Sequence, residues 1–198
     1  MESNKKTGMQ IDRCPWVDLK KADYVAYHDR EWGVPVYEDR TLFEFLVLEG
    51  AQAGLSWYTV LQKRVNYRKL LANFDPEKIV QFSNKDLIDL LNNPGIIRNR
   101  LKIKSVFNNA QKFLEVQAEF NGFANYIWSF VDNEPIVNTW ETPGNYRATS
   151  TESDSLSKDM KQRGFSFVGS TIIYSYMQAM GLVNDHSLNC YRRQELLT

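Results

Sequence analysis

The stretch from residue 41 to residue 57 constrains the fold more than any other part of this sequence. It reads TLFEFLVLEGAQAGLSW, and six large apolar side chains fall within seven consecutive positions, 42–48. A helix that is apolar on all sides is stable only when other elements surround it. Thr41 and Glu44 have the T-x-x-E spacing of a capping box, which predicts that the helix begins here. The stretch therefore predicts a buried helix at the centre of the fold.

The two carboxylates of this predicted helix point in different directions. At about 100° per residue, Glu44 and Glu49 lie roughly 140° apart around the axis, so a solvent-facing Glu44 places Glu49 among apolar neighbours. An ionised carboxylate there is costly unless a cation or several donors meet it. No Lys or Arg occurs in residues 41–57. Two interpretations stay open: a distant arginine or backbone amides satisfy Glu49, or its carboxylate receives a cationic or donor-rich ligand.

A tight turn is predicted directly after this helix. Gly54 is typical of the residue that follows a helix end, and Ser56 is a typical N-cap. The next helix is therefore expected to begin near Trp57. This arrangement places Gly54 and Leu55 at an exposed corner.

Composition limits the classes of function. The 198 residues contain 24 Lys+Arg and 24 Asp+Glu, so the formal net charge is zero and a nucleic-acid surface must be a local patch. No apolar run approaches the roughly 18 residues of a membrane span, and no secretory signal is visible. We therefore expect a cytoplasmic protein without a membrane partner, and a monomer. The absence of a convincing alternating strand or an internal repeat predicts an all-α fold.

A helix-hairpin-helix pattern is centred on residues 94–97, Pro-Gly-Ile-Ile. A short predicted helix precedes them, and a long one is expected to continue to about Phe120. Basic residues crowd the beginning of the long helix: Arg98, Arg100, Lys102 and Lys104. Free N–H groups and the positive end of a helix dipole, joined by basic side chains, suit a phosphate. A plain helical hairpin with a solvated basic face explains this segment equally well.

The chain contains 2 Cys and 2 His, which occur as Cys14 and His28 near its start and His186 and Cys190 near its end. Two cysteines and two histidines can form a closed tetrahedral zinc site with no open position for substrate. Such a site would join the two ends of the chain, and its role would be structural. Buried cysteines with surface histidines are the ordinary alternative. The segment 13–35 is dense in aromatic residues without a helical period, so we expect a loop-rich segment that this metal would hold.

Several stretches together resemble the bacterial 3-methyladenine DNA glycosylase I family of the helix-hairpin-helix superfamily. The matching stretches are RCPW at 13–16, AYHDREWGVP at 26–35, LEGAQAGLSW at 48–57, GIIRNRLKI at 95–103, RGFSFVGSTIIYSYMQAMGLVNDH at 163–186, and Cys190. They occur in the same order and span nearly the whole chain from Arg13 to Cys190. This makes the resemblance far more specific than any single motif.

The resemblance implies an all-α fold of two lobes, with a structural Zn²⁺ on Cys14, His28, His186 and Cys190. One lobe is expected to combine residues 13–36 with 125–198, and the helix-hairpin-helix lobe to span 37–124, after a flexible tail at 1–12. In the family, the pocket for the methylated base is lined by residues that match Trp16, Tyr27, Glu49 and Trp57. The corner that the family inserts into DNA matches Gly54 and Leu55. The expected DNA contacts of the hairpin are Gly95, Ile96, Arg98, Arg100 and Lys102.

The implied activity is excision of 3-methyladenine from double-stranded DNA, with the free base as product. Glu49 is the candidate catalytic residue, because residues 120–126 contain no Asp where many superfamily members carry one. Either Glu49 helps to orient water, or an already labile substrate needs little more than binding. Lys102 and Lys104 are expected to contact phosphate, so a lyase step is not predicted. Two other functions stay open: a non-catalytic module that binds damaged DNA, and a zinc hydrolase, which requires an open metal position.

Overall fold

A computed structural model describes residues 11–139 and 147–197 of the chain. Helices dominate these ranges, which confirms the prediction of an all-α fold. Most of the tail predicted at 1–12 lies outside the described residues. The helices are α1 Ala22–Arg30, α2 Asp39–Gln52, α3 Trp57–Leu61, α4 Arg64–Leu70, α5 Pro76–Ile79, α6 Asn84–Asn92, α7 Arg100–Phe120, α8 Phe123–Trp128, α9 Thr151–Gln162, α10 Ser170–Ala179 and α11 Tyr191–Glu195. Short 3-10 turns cover Ala72–Phe74 and Ser129–Val131.

Two very short strands add a small parallel pairing to this helical fold. β1, Ile136–Val137, pairs with β2, Val183–Asn184, in the register Ile136 to Val183. The pairing joins the segment after α8 to the segment after α10. It therefore helps to fix the part of the chain that leads to His186.

Helix α2 is the buried centre of the molecule, as its apolar sequence predicts. Ten consecutive residues from Leu42 to Ala51 are buried, and α3, α7, α8 and α10 pack around them. Phe43 lies against Phe113 of α7, with ring centroids 4.9 Å apart. Surrounded in this way, α2 holds its side chains in fixed directions, which matters for the site described below.

The predicted start of α2 was wrong. The helix begins at Asp39, and its N-cap is Glu38, whose carboxylate accepts hydrogen bonds from the backbone N–H groups of Arg40 and Thr41. Glu44 does not take part in a capping box and does not face solvent. It is 7% exposed and forms ion pairs with Arg64 and Arg68 of α4. A partner twenty residues away determines its direction, and a local pattern cannot reveal such a partner.

The N-terminal segment is more regular than expected. Residues 22–30 form α1, although their aromatic residues follow no clear helical period. Tyr27 and His28 are the buried residues of this helix, and they point toward two different sites. Tyr27 lines the cavity beside α2, and His28 belongs to the Cys/His cluster. The aromatic residues of α1 therefore lack a single helical period because the helix packs against two different sites.

In the described part of the chain, no helix combines the length and the apolar character needed to cross a membrane.

Candidate active site

A cavity of about 280 Å³ lies where α1, α2, α3 and α10 meet. Trp16, Tyr27, Glu49 and Trp57, the four residues expected in a base pocket, all line it. Helix α2 supplies Glu49 from its last turn, and α3 supplies Trp57 as its first residue. The structure thus brings together four residues that are as far as 41 positions apart in the sequence.

Glu49 is a buried carboxylate, 4% exposed. Among the residues that the structure describes, none donates a hydrogen bond to it or forms an ion pair with it. Arg64, the nearest buried arginine in sequence, pairs instead with Glu44 and Glu31. Burial raises the pKa of Glu49 from the ordinary value of 4.5 to about 8. Glu49 is therefore an acid without an ion-pair or hydrogen-bond partner among the described residues, in a cavity that Arg147 also lines.

Aromatic rings form the walls around this acid. The Tyr27 ring lies 5.2 Å from Trp57 and 6.4 Å from Trp16, measured between centroids. Behind them, Phe45 stacks on both Tyr27 and Trp57. Burial, followed by the charge of Glu49, raises the pKa of Tyr27 well above its ordinary value, so its hydroxyl is available as a donor. The walls thus offer flat π-faces and a hydroxyl to an unsaturated ligand.

The indole nitrogen of Trp57 also lacks a partner. Trp57 Nε1 is buried and, among the described residues, has no hydrogen-bond acceptor. Buried polar atoms are nearly always paired, so an unpaired donor in the wall of a cavity indicates a place for a ligand or water.

The predicted corner adjoins the cavity. Ala53 ends α2, Gly54 has a φ of +75°, and the side-chain oxygen of Ser56 accepts a hydrogen bond from Thr59 N–H at the start of α3. Leu55 is 41% exposed. A second cavity of about 280 Å³ runs along this corner and shares Glu49 and Gln52 with the first one. An exposed leucine therefore lies at the edge of an opening that leads to the buried acid.

The hairpin residues divide into buried and exposed ones. Ile96 is 3% exposed and packs in the core, and the backbone N–H of Ile97 donates to Tyr67 Oη at 3.1 Å. Arg98 and Arg100 are exposed. Gly95 is half-buried and donates its N–H to Asn93 Oδ1 at 2.8 Å. The hairpin is thus anchored from inside by Ile96, with its arginines left outside.

Lys102 points inward. Its Nζ lies 2.8 Å from the carbonyl oxygen of Ala51 and 2.5 Å from that of Ala53. This differs from the solvated orientation expected of a residue on a basic face.

Cys14, His28, His186 and Cys190 form one buried cluster, with all four ligand atoms within 4.8 Å of one another. Both thiols are free. The separations from Cys14 Sγ and Cys190 Sγ to His186 Nδ1 are 3.4 Å each, and that from Cys190 Sγ to His28 Nε2 is 3.5 Å. A tetrahedral zinc ion with bonds of about 2.3 Å to sulfur and about 2.0 Å to nitrogen requires S···N separations of roughly 3.5 Å. The cluster therefore has the dimensions of a metal site.

The second ring nitrogen of each histidine lies at hydrogen-bond distance from an oxygen acceptor, as is usual for histidines that bind metal. His28 Nδ1 lies 2.8 Å from Asp29 Oδ1, and Arg13 holds Asp29 in turn. His186 Nε2 lies 3.0 Å from the carbonyl oxygen of Trp32. Each of these outer nitrogens carries the proton as a donor, which leaves the other nitrogen unprotonated toward the cluster. The residues present thus fit a metal ion, and the expected joining of the two ends of the chain follows from their positions.

The sequence reasoning missed one wall of the cavity, which α10 provides. Its contributors are Thr171, Tyr174, Ser175 and Gln178. Their spacing of three, four and seven residues places them on one face of a helix, and a polar stripe on an otherwise apolar helix is a signal that could have found them. The buried carboxylate of Asp185 accepts hydrogen bonds from Tyr174 Oη and Gln178 Nε2, each at 2.7 Å, and so fixes these two side chains.

A family model for methyladenine glycosylases matches residues 16–193. The chain belongs to the methyladenine glycosylase family. Its similarity to DNA-3-methyladenine glycosylase 1 of Escherichia coli K12 is 47% identity over 180 residues, which is 91% of this chain and 96% of that protein. The resemblance inferred from the sequence is therefore confirmed.

Solved structures of the methyladenine glycosylase family have the same fold. A crystal structure of 3-methyladenine DNA glycosylase I matches with a TM-score of 0.88 and 48% identity, covering 91% of this chain and 98% of that one. A crystal structure of a variant of 3-methyladenine DNA glycosylase I in complex with 3-methyladenine matches with a TM-score of 0.85 and 34% identity, covering 88% and 94%.

Proposed function

We propose that this protein is a DNA repair glycosylase that flips 3-methyladenine out of alkylated double-stranded DNA and excises it by hydrolysis. The observation that carries the proposal is the buried carboxylate of Glu49, which has no partner among the described residues and lies inside an aromatic cavity of a methyladenine glycosylase fold. The relative of 34% identity that was crystallised with 3-methyladenine supports the same ligand.

Charge explains the choice of base. A methyl group on N3 makes adenine in DNA cationic, and a cation gains more than a neutral base does from the faces of Trp16 and Trp57. Before a base binds, burial favours the protonated form of Glu49. A cationic base lowers the pKa of that carboxyl, so that the acid ionises as the base binds and then accepts hydrogen bonds from the adenine edge. Neutral adenine provides neither the cation–π contact nor the charge pair.

The free-energy cost of extruding the base from the duplex must be offset by contacts with the protein. Removing a base from the helix costs a few kcal/mol, which stacking on aromatic faces offsets. The exposed Leu55 beside Gly54 is suited to fill the space that the base leaves, because the corner continues into the cavity. Arg98 and Arg100 of the hairpin, together with Gly95, are the proposed contacts to the phosphate backbone.

The bond changes are simple for this substrate. The bond between the sugar and the base breaks with its electron pair passing to the base, which leaves as neutral 3-methyladenine. Water adds to the electron-deficient sugar carbon and releases one proton. Because the bond is already weakened by methylation, binding and orientation by Glu49, Tyr27 and Trp57 supply most of what the reaction needs. None of the described residues that line the cavity is a lysine, which supports a glycosylase without a lyase step.

We propose zinc as the ion of the Cys/His cluster and give it a structural role. Two thiolates and two imidazoles are a preferred zinc donor set, and with four protein ligands no position remains for substrate. This argues against a zinc hydrolase. Bound there, zinc supplies a link that holds Trp16 and α1 against the other end of the chain.

The test is release of free 3-methyladenine from methylated duplex DNA. We expect release by the wild-type protein and its loss by at least about 100-fold, or nearly 3 kcal/mol, in Glu49→Gln and Trp57→Ala. Glu77→Gln, at an exposed glutamate, is the matched control and should retain activity. Wild-type activity in both cavity variants would contradict the proposed site. A wild-type protein that binds methylated duplex and releases no base would instead indicate a non-catalytic binding module.

A further inference from the structure

We propose that Lys102 is a positioning residue that fixes the end of α2 and the adjoining corner against the hairpin, and not a contact to DNA phosphate. This inference deepens the proposed function and rests on it for its catalytic consequence. It concerns what holds the proposed DNA-binding hairpin and the base cavity in a fixed relative position.

The two acceptors of Lys102 lie at the end of α2. The last carbonyl groups of a helix have no partner within the helix, and a cation is favoured beside them. Helix α2 has no basic residue in its own last turn. Lys102 supplies that cation from α7, donating to the carbonyl oxygens of Ala51 at 2.8 Å and Ala53 at 2.5 Å. One ammonium group thus binds both sides of Gln52, which lines the two cavities.

Two of the three N–H donors of the ammonium group are used by these bonds, and the side chain is half-buried. Partial burial lowers the pKa of Lys102. The neighbouring Lys104, Arg100 and Arg98 are exposed. A division of roles follows, in which the exposed cations are free to meet phosphate and Lys102 acts within the protein.

Lys102 also belongs to the hairpin. Its backbone N–H and that of Leu101 donate to Asn99 Oδ1, the N-cap of α7, at 3.1 and 3.0 Å. Lys102 therefore lies in the first turn of the helix that follows the hairpin and also holds the corner of α2. A DNA backbone seated on the hairpin is in this way placed at a fixed distance from Leu55 and Glu49.

The corner has few other supports. Gly54 has space around the position of a Cβ, and Leu55 is exposed. Within the described ranges, the Leu55 N–H bonds only to the Gln52 carbonyl oxygen in the same turn. Without Lys102, the last turn of α2 loses its cation and the turn 53–56 loses its attachment to α7. Because Glu49 lies in that last turn and Trp57 follows the corner, we expect the base cavity to lose its shape.

The experiment compares Lys102→Met with Arg100→Met, a matched removal of an exposed cation from the same turn. Three quantities are measured: the affinity for free 3-methyladenine from tryptophan fluorescence, the salt dependence of binding to duplex DNA, and amide hydrogen exchange at residues 53–57. For Lys102→Met we expect roughly tenfold weaker base binding and faster exchange at the corner, with the wild-type salt dependence. For Arg100→Met we expect unchanged base binding and exchange, with the slope of log K against log salt reduced by about 1.

The opposite pattern overturns the inference. If Lys102→Met reduces the salt slope as Arg100→Met does and leaves base affinity and corner exchange at wild-type values, Lys102 is a phosphate contact. Failure of the wild-type protein to bind 3-methyladenine would instead contradict the proposed function, and the exchange measurement would still decide whether Lys102 holds the corner.

A second measurement needs no folded variant. An amine-acylating reagent applied to the wild-type protein should modify Lys104 readily and Lys102 slowly, and duplex DNA should give Lys102 no further protection. Rapid acylation of Lys102 in the free protein, suppressed by DNA, would overturn the inference.

Discussion

Replacing Glu49 by Gln should stabilise the folded protein at alkaline pH while removing base excision. The carboxyl group is 4% exposed, and its pKa rises from 4.5 to about 8 because burial disfavours the charged form. At about 1.36 kcal/mol per pKa unit, this change corresponds to about 5 kcal/mol for ionising the folded state relative to the unfolded one. The neutral amide of Gln carries no such cost.

The sign of the pH dependence follows from which state holds the proton. Below pH 4.5 the carboxyl is protonated in both states, so its contribution to stability is fully present. Between pH 4.5 and about 8 the unfolded state releases its proton and the folded state keeps it, so the wild-type free energy of unfolding falls as pH rises. Above pH 8 the folded state ionises too, and the loss reaches its limit. The variant lacks this decline.

Urea denaturation of both proteins at pH 5, 7 and 9 measures the effect as a difference, in which contributions of other groups cancel. We expect the variant to gain stability relative to wild type by about 4 kcal/mol from pH 5 to pH 9. The exposed Glu77→Gln variant serves as the control and should show no such gain. Equal pH dependence in Glu49→Gln and wild type would show that Glu49 is ionised at no cost in the folded protein, and would refute the argument from burial.

Three further substitutions test the Cys/His cluster and the ion pairs of Glu44. Cys190→Ser removes one thiolate of the Cys/His cluster. We expect elemental analysis to show the loss of one bound zinc per chain, and the melting temperature to fall. A variant that keeps its metal would contradict the assignment of zinc to this cluster. Glu44→Gln removes the buried partner of Arg64 and should cost about 3 kcal/mol in the free energy of unfolding, because a guanidinium that is 7% exposed loses the more buried of its two counter-charges and keeps only Glu31. Arg68→Gln removes the more exposed partner of Glu44 and should cost less than about 1 kcal/mol; equal effects of the two variants would contradict this ranking.

The sequence predicted the elements whose signals are local and strong. The apolar run of α2 is stable only where other elements surround it, and Ser56, the predicted N-cap, caps α3 with its side-chain oxygen. The Cys/His cluster could be predicted for a different reason. The chain has only four such residues, and their pattern left buried cysteines with surface histidines as an alternative, so it was the family resemblance that implied the site.

Directions of long polar side chains could not be predicted in this way. The sequence placed Lys102 on a basic helix face with Arg100 and Lys104, but its stem turns to the carbonyl groups of another helix. A lysine has several rotatable bonds, and its position depends on acceptors that are about fifty residues away in the chain. The polar stripe of α10 could have been noticed in the sequence, but the directions of Tyr174 and Gln178 depend on Asp185, to which both donate.

The two buried carboxylates of α2 show how one helix can serve both stability and function. Glu44 and Glu49 are similarly buried, but α4 brings Arg64 and Arg68 only to Glu44. The Arg64 guanidinium lies 4.7 Å from the centroid of the Phe45 ring. Phe45 in turn stacks on Tyr27 and Trp57, whose rings line the cavity. The aromatic layer therefore intervenes between the internal cation and the second acid. If Arg64 reached Glu49 instead, the charge that we propose selects an alkylated base would be neutralised, and an added cation would gain little from entering the cavity.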